Sequence, residues 1–126
     1  MGERQRVRSV QDKIAILRRT SHTLSTLSDE PIPRSLDENQ AREARRYSTW
    51  LHRASEELES LASRWEREAV PLYRLTEEMQ QMNRSFSLQY LQLQQKIQQE
   101  NRQFTTISNI MKARHDTAKS AINNIR

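Results

Sequence analysis

The stretch YSTWLHRASEELESLASRW, residues 47–65, decides how this chain folds. Its apolar residues Tyr47, Leu51, Ala54, Leu58, Leu61 and Trp65 recur at alternating spacings of four and three. That is the period of one helix face, because side chains three and four apart stack above one another. Charged and small polar residues fill the positions between, so the helix is amphipathic and its stripe has to be covered. Trp50 lies one residue off the stripe, beside Tyr47 and Leu51, and widens it.

The same stripe continues toward the C-terminus through Leu72, Leu75, Met79, Met82 and Phe86. It resumes as Tyr90, Leu93, Ile97, Phe104, Ile107, Met111, Ala118, Ile122 and Ile125, interrupted by the polar Asn101 and His115. Toward the N-terminus, Val7, Val10, Ile14, Leu17, Leu24 and Leu27 predict a short helix over residues 7–27. Pro31 and Pro33, flanking Ile32, disfavour helix on both sides and predict an extended connector. Ser35 and Glu38 then match a capping box at the start of the long helical region.

A straight helix over residues 36–126 would run on the order of 135 Å, and a small protein cannot bury such a seam without folding it back or finding partners. Pro71 predicts a break near Ala69–Pro71. The poor helix formers of Asn83-Arg84-Ser85-Phe86-Ser87 mark a possible second turn. The expected fold is all-α: an elongated helical hairpin, or long coiled-coil-like amphipathic helices, preceded by a short N-terminal helix. A single curved rod is the alternative. Two parts are expected, a basic arm over residues 1–34 and a long helical region over residues 35–126.

Composition agrees with a helical seam. Only 34% of residues are hydrophobic, and one Gly and three Pro are too few for a turn-rich β architecture. The absence of cysteine excludes disulfides and thiolate chemistry. No apolar run approaches the roughly 20 residues that span a bilayer. The charged start, with Arg4 and Arg6, lacks the apolar core of a cleavable signal peptide, and Arg6 replaces the Ser or Thr of a myristoylation signal. The net charge is +5, but it is spread: +3 over residues 1–34, -3 over 35–79 and +5 over 80–126. Diffuse charge of this kind, including Arg4, Arg6, Arg8, Arg18 and Arg19, is expected of a solvated surface and leader more than of a phosphate-binding stripe. Residues 80–103 are rich in Gln, whose neutral amides would let copies of a helix lie side by side without repulsion.

Catalytic and metal chemistry find little purchase. His22, His52 and His115 fall in three separate segments, and only His52 with Glu56 has the i, i+4 spacing of a shared ligand pair. The carboxylates of residues 56–68 belong on an exposed face, without the desolvation that tunes an acid or base. No enzymatic activity, cofactor or metal is expected. Trp50 and Trp65 are the candidate partner anchors, since Trp is enriched in binding hot spots.

The last quarter carries a more specific pattern: Gln95-Lys96-Ile97, Asn101, Ser108-Asn109-x-x-Lys112-x-x-x-Asp116, and Ile122-x-Asn124-x-Arg126. It resembles the C-terminal helix of type III secretion needle subunits, over roughly residues 94–126. The resemblance implies a helical hairpin that polymerises into a hollow tube. Where needle subunits carry a proline-containing turn, this chain reads Arg84-Ser85-Phe86-Ser87, and residues 1–46 have no counterpart. The inner-rod subunits of the same machines fit the length better and the terminal residues worse. The resemblance implies that Ser108, Asn109, Lys112, Asp116, Asn124 and Arg126 approach a lumen or polar interface. It implies further that Phe86, Tyr90, Leu93, Ile97, Phe104, Ile107, Met111, Ile122 and Ile125 form an apolar seam between subunits. The expected function is a self-assembling subunit of a bacterial secretion apparatus, secreted or on a cell-surface appendage without a cleavable signal. Its partners would be copies of itself, other apparatus proteins or a chaperone, and nucleic acid is not expected. The alternative is a cytoplasmic helical adaptor or chaperone holding a partner's amphipathic helix.

Overall fold

In the computed structural model the chain is all-α. Its helices are α1 (Gly2–Asp29), α2 (Glu38–Arg67), α3 (Leu72–Glu100) and α4 (Phe104–Asn123), with no strand among the described residues. The structure describes the backbone of residues 2–100 and 104–125, and the side chains of residues 8–96 and 113–125.

α1 and α2 form the most extensive pair, an antiparallel hairpin. Its register is set by Ser21, whose buried hydroxyl donates to the Ser55 carbonyl at 2.7 Å. One end is tied by Arg18, which reaches Glu59 at 3.4 Å and also pairs with Glu66. The Arg18 hydrogen bond holds the Glu66 carboxyl below the usual carboxylate range. Small residues on α2, Ala54, Ser55 and Ala62, are buried and keep the two backbones close. α4 lies against α1, α3 lies against α4, and α3 returns to meet α2 only sparingly.

The stripe quoted above becomes the core. Tyr47, Leu51, Leu58 and Trp65 of α2 are buried with Leu17 and Leu24 of α1, Leu75, Met79 and Phe86 of α3, and Ile122 of α4. Each such side chain contributes roughly 1.5–3 kcal/mol when taken fully out of water. The seam therefore closes within one chain, and a single curved rod is not what forms. The apolar supply, thin on average, suffices because it is confined to one face of each helix.

Three local expectations change. The N-terminal helix spans Gly2–Asp29 rather than 7–27, so Arg4, Arg6 and Arg8 stand on a helix and not on a leader. α2 is capped by Asp37, not Ser35: the Asp37 carboxylate accepts from the Gln40 backbone N–H at 2.8 Å, and the Gln40 side chain accepts from the Asp37 N–H at 3.1 Å. Leu36 is buried and pins the preceding turn, which delays the helix start by two residues. The break at Pro71 is present, with its carbonyl accepting from the Arg74 and Leu75 N–H groups at the start of α3. The second turn at residues 83–87 is absent, because α3 runs through them. Asn83 sends its side-chain amide to the Ile122 carbonyl at 2.6 Å, and Phe86 is buried. Those tertiary contacts outweigh a weak local preference. Residues 101–103 lie outside the described residues.

Candidate functional site

Facing positions on three helices bring Tyr47 and Trp50 (α2), Phe86 and Tyr90 (α3) and His115 (α4) into one cluster. Tyr47 stacks with Trp50 at a centroid distance of 6.1 Å and lies 4.4 Å from the His115 ring. Trp50 meets Phe86 edge-on at 6.3 Å. The Tyr90 hydroxyl sits 3.0 Å from His115 Nδ1 and donates to the His115 carbonyl at 3.3 Å. Burial holds the His115 imidazole below its ordinary value, partly offset by the adjacent Asp116 carboxylate. Burial also pushes Tyr90 up to about 12 and Tyr47 higher still. Burial therefore favours the neutral imidazole and the neutral phenols in this packed cluster, and His115 Nε2 and the Tyr47 hydroxyl are buried without a protein partner.

Among the described residues, the expected inter-subunit seam packs inside the chain. Phe86, Tyr90, Ile122 and Ile125 are buried in the chain's own core, and Leu93 is half-buried against it. They close the bundle because α3 and α4 fold back on α1 and α2, which the stripe alone did not specify. The side chains of Ile97, Phe104, Ile107 and Met111 lie outside the described residues. So do those of Ser108, Asn109, Lys112 and Arg126. Asp116 is exposed on the outer side of α4, opposite the buried Ala118 and Ile122, and Asn124 is exposed just beyond the helix end.

The two tryptophans separate. Trp65 is 2% exposed and its indole N–H donates to Glu78 at 2.7 Å, so it is a core residue and not a partner anchor. Trp50 is half-buried, with its indole N–H donating to the Gln89 side chain at 3.0 Å, and its ring edges a surface groove. His52 does pair with Glu56 at 2.6 Å, on an exposed face. No group of three or more potential metal-ligating side chains occurs among the described residues. Nor is any helix there long and apolar enough to cross a membrane.

Several surface features escaped the sequence reading. Arg114 clasps the α1–α2 connector, through Glu30 at 2.6 Å and the Pro31 carbonyl at 2.7 Å. A groove of about 1280 Å³ lies between the N-terminal half of α1 and the α2–α3 turn, lined by Val10, Ile14, Val70, Pro71, Leu72 and Tyr73. Two further grooves, about 620 and 640 Å³, follow one another along the α2–α3 seam and are lined by arginines. On α3, Leu88 and Leu91 are large hydrophobic residues left exposed one turn apart. None of these could be read from periodicity, because each depends on which helix faces are left uncovered. The chain matches no known family model, no characterised protein and no solved structure.

Proposed function

We propose that this protein is a non-enzymatic, self-assembling helical subunit of a bacterial protein-secretion apparatus, of the needle or inner-rod type. The observation that carries the reading is the exposed pair Leu88 and Leu91 on the Gln-rich part of α3. Gln92 and Gln95 are exposed beside it. An apolar patch flanked by neutral amides on its C-terminal side lets identical subunits approach, and a patch that meets a different surface of the next copy propagates instead of closing. The resemblance to needle subunits over residues 94–126 supports the same reading, with Asp116 exposed on α4 and Asn124 exposed just beyond its end. Under this proposal the protein works outside the cytoplasm, on or in a cell-surface appendage.

Trimming the last residues is a poor test, since Ile122 and Ile125 are core residues. A Leu88→Glu, Leu91→Glu double variant is the better one, because both positions are exposed. Wild-type protein concentrated to the millimolar range is expected to form regular filaments by electron microscopy, and the double variant is expected to stay monomeric with unchanged helicity. A wild type that never exceeds a dimer, or a double variant that still forms filaments, sinks the proposal. The adaptor reading draws on the apolar groove between α1 and the α2–α3 turn, and it predicts one defined small complex in place of filaments.

A further inference from the structure

The seam between α2 and α3 concentrates charge that the fold does not use. Arg42, Arg45, Arg46 and Arg53 of α2 line its first half, and Arg64 and Arg67 continue it along the second, which shares Arg53 and Glu57. From Arg42 to Arg67 the track runs about 38 Å at 1.5 Å per residue. Arg46 and Arg64 each reach a carboxylate, Glu43 at 3.1 Å and Glu78 at 2.8 Å. Arg42, Arg45, Arg53 and Arg67 are exposed and enter no ion pair among the described residues. Between the arginines the lining is mixed: the Trp50 ring, Leu61 and Met82 are apolar, and Glu57, Ser60 and Gln89 are polar.

A partly apolar floor between guanidinium walls matches a helix whose apolar stripe is flanked by Asp and Glu. We propose that the α2–α3 groove is a docking site for an acidic amphipathic helix of a partner protein. Carboxylates match the planar, two-pronged donors of arginine, and burying the stripe on the floor supplies the apolar part of the affinity. A nucleic-acid strand fits less well, because a phosphate backbone has no apolar stripe to lay on Leu61 and Met82, whereas a helix can set its stripe, and not its carboxylates, opposite Glu56 and Glu57. It would also find only Trp50 for stacking, with the indole already held by Gln89. A second copy of this chain fits less well, because the apolar stripes of its described helices are buried in its own core and its exposed leucines, Leu88 and Leu91, are flanked by Gln and not by carboxylates. The proposal does not rest on the self-assembly reading, whose Leu88 and Leu91 lie on other positions of α3 than the groove residues Met82, Phe86 and Gln89.

The test uses the full chain and fluorescein-labelled synthetic helices of about 25 residues, long enough to span the groove. One peptide carries a leucine stripe flanked by Glu, the second the same stripe flanked by Lys, and a labelled single-stranded oligonucleotide is the third probe. Fluorescence anisotropy is expected to show the Glu peptide binding and the Lys peptide not, with affinity falling as salt rises from about 50 to about 300 mM. An R42E/R45E/R53E variant is expected to weaken the Glu peptide about tenfold or more. An R34E/R74E/K119E variant makes the same change in net charge at exposed positions away from the groove, and is expected to stay within about twofold. Single R45Q and R53Q substitutions should give smaller steps in the same direction, which keeps the test valid if the triple variant loses helicity by circular dichroism. Equal binding of the two peptides, equal loss in both triple variants, or tighter binding of the oligonucleotide than of the Glu peptide overturns the proposal.

Discussion

Replacing Phe86 by Ala probes whether the apolar seam closes within one chain. Phe86 is 1% exposed, on a part of α3 with weak helix formers on either side, and its ring meets Trp50 edge-on. A phenylalanine takes roughly 200 Å² out of water, which at about 25 cal/mol per Å² sets an upper bound of about 5 kcal/mol. Ala keeps part of that area but leaves a cavity, and core Phe→Ala changes fall at about 3–5 kcal/mol. A loss near 4 kcal/mol is a large share of the roughly 5–15 kcal/mol that holds a domain of this kind together. The assay is urea unfolding followed by far-ultraviolet circular dichroism and by tryptophan fluorescence, at two protein concentrations about tenfold apart and below any assembly. Leu88→Ala, at a residue 57% exposed, serves as the contrast and is expected to change stability by about 0.5 kcal/mol or less. A loss below about 1 kcal/mol for Phe86→Ala would falsify burial within the monomer. A midpoint that shifts with concentration would refute it as well, since a contact inside one chain is independent of concentration.

Two further outcomes follow from the same structure. His115 is held neutral by burial, with its folded value below the ordinary 6.5, so the unfolded chain binds the extra proton first as pH falls. Stability is therefore expected to drop below pH 6.5, down to the depressed folded value, with a slope of at most about 1.4 kcal/mol per pH unit from this group. His115→Gln should flatten that part of the stability–pH curve measured by urea titration, and an unchanged curve would argue against a buried neutral imidazole. At the start of α2, Asp37→Ala should cost about 1 kcal/mol through the lost cap, while Ser35→Ala should stay within about 0.5 kcal/mol. Equal losses in thermal melts of the two variants would mean that the helix begins at Ser35 after all.

The candidate surfaces illustrate why function was harder to read than fold. Asn83 and Ser85 look locally like a turn, yet Asn83 spends its amide on the Ile122 carbonyl and Ser85 accepts from Gln89 inside a continuous helix. Phe86, Tyr90 and Ile122 carry the same stripe signal whether their partner is another subunit or the next helix of the same chain. Trp50 and Trp65 both sit near one stripe, but only the arrangement of α3 turns one toward Glu78 and the other toward a groove.

The sequence alone determined the all-α character, the amphipathic faces, the Pro31–Pro33 connector and the break at Pro71, because backbone preference and the 3.6-residue period are local properties. The tertiary structure decided that the seam closes on itself, that Asp37 and not Ser35 begins α2, and that α3 does not break at Asn83. It also decided which arginines of α2 face a groove and which leucines of α3 stay uncovered. These depend on contacts between residues far apart in the chain, where burial and a few side-chain hydrogen bonds outweigh preferences of less than about 1 kcal/mol per residue.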